Sequence, residues 1–153
     1  MNYRSSLILL VVIAAACTRQ DGKGARADST AVPGTPSDTV VVQPAAKDDL
    51  LRLSTPLPGQ VVTSPLLVAG EARGPWFFEA SFPVYLLDAN GDTLVVKPAQ
   101  AEGEWMTENY VPFKVVLEFT APASATGTLL LKKDNASGLP EHDNELRVPI
   151  RFH

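Results

Sequence analysis

The sequence predicts an all-β domain, a two-sheet sandwich of about seven strands, over the last two thirds of the chain. From Leu50 onward, apolar and polar residues alternate with a period of two between turn residues, which is typical of half-buried strands. No segment there shows the period of a helix. Of the eleven aromatic residues, all but Tyr3 lie at or after Trp76, so that a large core can form only in this part.

The clearest strand covers residues 145–152, which have an apolar face and a polar face. The apolar face consists of Leu146, Val148, Ile150 and Phe152. Pro149 has no N–H group, so we expect an edge strand that pairs on one side only. Residues 82–88 and 92–97 flank Asn90-Gly91, which predicts a hairpin because both turn residues tolerate a positive φ. The other strands are predicted over residues 50–53, 66–72, 113–120 and 128–133.

The chain begins with a segment that is typical of an export signal. A short polar start precedes an unbroken apolar run over residues 7–16, far shorter than the ~20 residues of a membrane-spanning helix. We therefore interpret residues 1–16 as a signal peptide. Small residues directly before Cys17 resemble the lipobox of bacterial lipoproteins. This resemblance implies transfer of diacylglyceryl to the thiol, cleavage before Cys17 and acylation of its new amino group.

Lipidation of Cys17 implies an extracytoplasmic protein held in a membrane of the cell envelope, because two or three acyl chains anchor stably. Thr18 is not aspartate, and by resemblance to lipoproteins of cells with two membranes this favours the outer one. Residues 17–49 are then a lipidated cysteine and a disordered linker, since the segment lacks aromatic residues and is rich in Gly, Pro, Ser and Thr. Residues 50–153 form the β domain. With the only cysteine lipidated, that domain has no disulfide and depends on its apolar core.

The composition argues against several functions. A net charge of −4 provides no basic surface for nucleic acid. Only His142 and His153 are available, and the sequence has neither a Gly-x-Ser-x-Gly elbow nor a glycine-rich phosphate loop. We therefore expect no cofactor and no enzymatic activity. The one enzymatic alternative is a cell-wall hydrolase that pairs Glu79 with Glu104, since glycoside hydrolysis needs two carboxyl groups about 5–10 Å apart.

Three stretches resemble a known family. They read PLPGQVVTSPLLVAGEARGPWFFEASFPVYLLDANGD (56–92), AEGEWMTENYVPF (101–113) and KKDNASGLPEHDNELRVPIRF (132–152). These stretches are similar to the immunoglobulin-like domain of bacterial spore-germination proteins, over nearly all of residues 51–152. The resemblance implies an immunoglobulin-like β-sandwich on the outer side of a cytoplasmic membrane. It implies no activity, ligand or catalytic residue.

Two aromatic stretches are candidate binding surfaces, because Trp and Tyr rings stack on sugars and anchor protein interfaces. The candidate residues are Trp76, Phe77, Phe78 and Glu79 in the first stretch and Trp105 and Tyr110 in the second. The alternative is that these rings plug the open end of the sandwich, which lacks a disulfide. A joint patch requires both stretches at the same end of the sandwich, which the sequence does not determine.

The polar loop over residues 133–145 is a candidate calcium site, since Ca²⁺ takes six to eight oxygen ligands. The candidate ligands are Asp134, Glu141 and Asp143. Their spacing does not fit an EF-hand. The alternative is a solvated turn in which Asp134 and Asn135 bond to nearby backbone N–H groups.

These features favour a non-catalytic, lipid-anchored module of the cell envelope that binds another envelope protein or a cell-wall polymer. The alternatives are a structural, calcium-dependent envelope protein and a cell-wall hydrolase. Expected partners are the membrane, through the lipid on Cys17, and one of these envelope components.

Overall fold

The structure, a computed structural model, describes residues 43–153. The predicted signal peptide, Cys17 and most of the predicted linker lie outside these residues. The strands are β1 (Ala46–Lys47), β2 (Leu51–Thr55), β3 (Leu66–Arg73), β4 (Ser81–Asp88), β5 (Thr93–Ala101), β6 (Tyr110–Leu117), β7 (Thr126–Lys132) and β8 (Glu145–Arg151). Two single 3-10 turns, Gly74–Trp76 and Pro140–His142, are the only helical elements in this part of the chain.

The strands form an antiparallel β-sandwich. Their hydrogen-bonded order is β1-β2-β3-β6-β5-β4-β7-β8. Strand β5 pairs with β4 along most of its length, but it meets β6 only through Gln100 and Ala101. The sheet therefore folds over at β5 into two layers. At the opposite edge, Val61 forms a parallel bridge with Arg151, which nearly closes the layers into a barrel.

The core lies between the two layers, and both layers contribute to one apolar cluster. Its centre is Phe82, whose ring lies 4.9 Å from the ring of Phe113 and 6.3 Å from that of Trp76, both in edge-to-face geometry. Such pairs contribute about 0.5–1.5 kcal/mol beyond the burial of their area. Because the domain has no disulfide, this aromatic cluster takes the central position between the sheets.

All seven predicted strands are present, and the predicted all-β sandwich is confirmed. The largest differences are in β5, which continues to Ala101 instead of ending at residue 97, and in β6, which runs from Tyr110 to Leu117 instead of over residues 113–120. Pro112 interrupts the sequence pattern there, but its carbonyl accepts the N–H of Glu102 at 2.7 Å. In an antiparallel strand, the N–H and C=O groups of one residue point towards the same neighbour. The missing N–H of Pro112 therefore lies on the side of Glu102, and no hydrogen bond between β6 and β3 is lost.

Two further details of the strands follow from turn and edge chemistry. Strand β8 is the last strand in the order, as Pro149 predicts, and its free side meets only the segment around Val61. The predicted hairpin joins β4 to β5, but only Gly91 of its turn has a positive φ, of 91°. The N–H of Gly91 bonds to the carbonyl of Asp88, and the N–H of Asp88 bonds to the carbonyl of Asp92 at 2.9 Å, so that residues 89–91 form a three-residue loop instead of the expected two-residue one.

The first strand arises inside the segment that the sequence predicts as linker. Lys47 lies opposite Leu51, and Ala46 lies opposite Arg52. Residues 45–47 therefore run beside β2 and in the opposite direction. No helix in residues 43–153 has the length and apolar character needed to cross a membrane.

Candidate functional site

One end of the sandwich, which we call the loop end, carries three of the connections between strands. They are residues 74–80, 102–109 and 133–144. The antiparallel order places them together, because β3, β5 and β7 end there. The N–H of Ala101 bonds to the carbonyl of Ala80 at 2.8 Å, and the N–H of Asp134 bonds to that of Trp76 at 3.2 Å. Both predicted aromatic stretches therefore lie at the same end.

Trp76 and Phe77 belong to the core. Trp76 is fully buried, Phe77 is 4% exposed, and both rings contact Phe82. The 3-10 turn that begins at Gly74 directs the indole inward, where its Nε1 has no hydrogen-bond partner in the described part of the chain. These two rings fill the end of the sandwich and present no surface to a ligand.

Phe78 differs from its two neighbours, because its side chain is 45% exposed. Phe78 and Ser81 exchange backbone hydrogen bonds of 3.0 and 3.1 Å around a two-residue turn. The turn residues, Glu79 and Ala80, have φ values of 48° and 61°, a conformation that favours Gly or Asn. A non-glycine residue there costs about 1–2 kcal/mol, and strained turns of this kind occur often at functional sites. The strained turn places Phe78 at the surface.

The second loop also combines a ring that faces inward with an exposed apolar side chain. Trp105 packs half-buried against the core. Met106 is 73% exposed, and its N–H bonds to the carboxylate of Glu104 at 3.1 Å. Glu104 and Glu79 are both exposed to solvent, and no hydrogen bond joins them.

The third loop is held by its own polar side chains. The Asn135 amide donates to the Leu139 carbonyl at 2.8 Å and to the Asp143 carboxylate at 2.9 Å. The Ser137 hydroxyl donates to the side-chain carbonyl oxygen of Asn135 at 2.6 Å. Across residues 43–153, no three His, Cys, Asp or Glu side chains approach closely enough to hold a metal ion. Asp134, Glu141 and Asp143 therefore do not form a calcium site in this geometry.

Each of the three loops thus exposes one large apolar side chain. These are Phe78 at 45%, Met106 at 73% and Leu139 at 48% exposure. The same loops contain seven carboxylates and a single lysine. The carboxylates are Glu79, Glu102, Glu104, Glu108, Asp134, Glu141 and Asp143. The loop end is therefore an acidic surface with three apolar side chains.

Tyr110 fixes the start of the domain instead of offering a free ring. Its hydroxyl donates to the Asp49 carboxylate at 2.8 Å and to the Asp49 carbonyl at 2.9 Å. Arg73 forms an ion pair with the same carboxylate at 2.5 Å. The guanidinium groups of Arg73 and Arg52 lie 4.4 and 4.0 Å from the centre of the Tyr110 ring. We call these four residues the Asp49 clamp.

The contacts within the Asp49 clamp shift the pKa values of Asp49 and Arg73. The hydrogen bond from Tyr110 and that from Arg73 lower the pKa of Asp49 below its ordinary value. The same ion pair raises the pKa of Arg73. Because the folded-state pKa of Asp49 lies below the unfolded one, ionisation favours the folded state. This contribution is complete above the unfolded pKa, about 4, and is lost as the pH falls through the folded pKa.

We expect Asp49→Asn to lower the melting temperature at pH 7, and this difference from the wild type to close as the pH falls from about 4 towards 2. The measurement is a thermal melt at each pH. Asp48→Asn is the matched control, because Asp48 makes only a 3.5 Å pair with Lys47 and a 3.4 Å contact with Asn144. Parallel pH profiles for the wild type and Asp49→Asn would show that the clamp does not act through this carboxylate.

Comparison with known proteins agrees with this architecture. The model of one family, described as the immunoglobulin-like domain of bacterial spore germination, matches residues 50–138. The match includes β2 to β7, the first two loops and the start of the third. No curated protein and no solved structure matches the sequence.

Proposed function

The chain belongs to the immunoglobulin-like domain family of bacterial spore germination, and from this we propose that it is a non-catalytic binding module of the cell envelope. A sandwich closed by apolar and aromatic residues is a rigid scaffold. Binding residues are often found on loops that such a scaffold positions. The loop end has this arrangement.

The observation that carries the proposal is the exposure of one large apolar side chain on each loop, among seven carboxylates. Exposed apolar groups with a polar rim mark protein interaction sites. The negative charge disfavours nucleic acid and anionic lipid headgroups as the occupant. We propose that the loop end binds another envelope protein through a surface that combines apolar and basic residues, since complementary charge steers association.

Anchoring through Cys17 predicts a change of location in a Cys17→Ser variant. Without the thiol the lipid cannot be attached, so the full chain should move from the membrane fraction to the soluble extracytoplasmic fraction. Fractionation and the mass of the N-terminal peptide measure this. A wild-type peptide mass without added acyl chains would contradict the proposal.

The loop end itself is tested by a triple variant, Phe78→Ser, Met106→Ser and Leu139→Ser. Its matched control is Val61→Ser, Leu67→Ser and Val116→Ser, three residues that are 45–50% exposed elsewhere on the domain. After chemical cross-linking in cells, we expect the loop-end variant to reduce one discrete covalent complex by about tenfold or more. The control should leave it unchanged. Equal yields from both variants would refute the loop end as the binding surface.

A further inference from the structure

A groove lies beside the third loop, on the outer face of β4 and β7. Its volume is about 360 Å³, at the small end of the roughly 300–1,000 Å³ that ligand pockets occupy. The residues that line it are Pro83, Tyr85, Lys132, Lys133, Asp134, Asn135, Gly138 and Asp143. Tyr85 lies opposite Leu130 in the register, and Lys132 follows two positions later on the same face of β7. Pro83 and Tyr85 form an apolar wall.

Three side chains in this groove have polar groups without a partner within residues 43–153. They are the hydroxyl of Tyr85, the ammonium of Lys132 and the carboxylate of Asp134. Each of the other four lysines in that range makes an ion pair or a hydrogen bond. Tyr110, the other tyrosine there, makes two hydrogen bonds. The Tyr85 hydroxyl, the Lys132 ammonium and the Asp134 carboxylate are thus free to bind a ligand in the groove.

The neighbours of Lys132 explain why it has no partner. Glu145 lies directly opposite Lys132 on β8, but its carboxylate accepts the Arg147 guanidinium at 2.7 Å. The adjacent Lys133 turns to the carbonyl of His142 at 3.1 Å. Across the groove, the hydrogen bonds of Asn135 hold the loop wall in place. The groove is therefore held open, with a donor and an acceptor both available.

The charges in the groove restrict what it can take. A simple anion would be repelled by Asp134 and Asp143, and a simple cation by Lys132 and Lys133. A neutral molecule with several hydroxyl groups avoids both repulsions. It can also bond to the lysines and to the carboxylates, because each hydroxyl donates and accepts hydrogen bonds. The apolar face of a sugar ring also suits the ring of Tyr85, as aromatic side chains combine an apolar body with polar neighbours. We propose that this groove binds a neutral saccharide unit of a glycan chain.

The groove adjoins the loop end and shares Asp134 and Asp143 with it, but its wall of Pro83 and Tyr85 lies on β4, outside the three loops. Neither assignment depends on the other. In the groove, the sugar ring packs on Tyr85 and Pro83. Lys132 donates to one hydroxyl, and Asp134 accepts from a neighbouring one. Because the groove is open along the sheet face, the units on either side of the bound one extend into solvent.

The experiment titrates the domain within the soluble Cys17→Ser chain with two probes, β-linked N-acetylglucosamine tetramer and glucose tetramer. Amide NMR shifts report the site. We expect saturable shifts at residues 83–85 and 130–138 with at least one probe. Tyr85→Ala and Lys132→Met should each weaken binding by about tenfold, because the first removes the ring on which the sugar packs and the second removes a charged hydrogen-bond donor.

Two controls separate this site from others. Lys114→Met, in which an exposed lysine of the other sheet is replaced, should leave the affinity unchanged. The loop-end triple variant should also bind the probe normally, so that failure of one proposal is distinguishable from failure of the other. Unchanged melting temperatures show that the variants are folded. Absence of saturable binding by both probes, or affinities unaffected by Tyr85→Ala and Lys132→Met, would overturn the proposal.

Discussion

Replacement of Trp76 by alanine is expected to destabilise the domain by about 3–5 kcal/mol, the range for loss of a buried Trp or Phe. The indole is fully buried and packs edge-to-face on Phe82. Domains of this size are stable by only about 5–15 kcal/mol, so the variant should be partly unfolded at 37 °C. Denaturant unfolding of the soluble chain measures the effect.

The neighbouring ring serves as the control. Phe78→Ala removes an aromatic side chain two positions away that is 45% exposed, so it should cost less than about 1 kcal/mol. Trp76→Phe should be milder than Trp76→Ala, because the indole N–H makes no hydrogen bond that would be lost. Similar losses of unfolding free energy in Trp76→Ala and Phe78→Ala would contradict the assignment of Trp76 to the core and of Phe78 to the surface.

Gly74→Ala is expected to have the second largest effect, about 3 kcal/mol, near the upper end for overpacked sites. A Cβ atom at Gly74 would lie 1.9 Å from the carbonyl oxygen of Thr107 and 2.5 Å from that of Trp105. Both contacts are with backbone, which cannot rotate away. The first two loops should therefore separate, and the exposed positions of Phe78 and Met106 should shift with them.

Gly103→Ala is the matched control for this substitution. It lies in the second loop, but the nearest atom to its added Cβ would be 3.9 Å away, in ordinary contact. We expect a change within about 0.5 kcal/mol. Unfolding curves of the two variants test the contrast, and a Gly74→Ala protein as stable as Gly103→Ala would mean that the loops do not meet at Gly74.

The strands could be predicted because the alternation of apolar and polar residues is visible within each short segment. Burial of one face of a strand requires this alternation. In β8, for example, every second residue from Leu146 to Ile150 lies in the core. A shift by one residue would expose the whole set, so the pattern determines the register. The start of β6 was harder to predict, since Pro112 looks like a break until the hydrogen-bonding side of its nitrogen is known.

The division of the aromatic stretch could not be predicted, because loops have no periodicity. Trp76, Phe77 and Phe78 are equivalent in sequence terms. Their directions depend on the 3-10 turn at Gly74 and on the turn with positive φ values after Phe78. Both features are set by tertiary contacts. A large apolar residue within an otherwise polar loop, such as Met106 or Leu139, is the sequence signal that would have identified the exposed set.

The Asp49 clamp and the groove also depend on contacts that are distant in the chain. Asp49 and Tyr110 are 61 residues apart and bond directly. Lys132 and Lys133 are adjacent and chemically identical, yet only Lys133 has a partner in the described residues. Glu145, which lies opposite Lys132 on β8, is engaged by Arg147, whereas Lys133 lies beyond the end of β7 and reaches the carbonyl of His142. Sequence spacing alone cannot assign partners to such residues.

Site-specific photo-cross-linking in cells probes directly whether the loop end is the binding surface. A photoreactive phenylalanine analogue is placed in turn at positions 78, 106 and 139, and at the exposed positions 61, 67 and 116. We expect one discrete, light-dependent adduct from the loop-end positions and none from the other three. Adducts from both sets alike, or from the second set alone, would show that the loop end is not the binding surface.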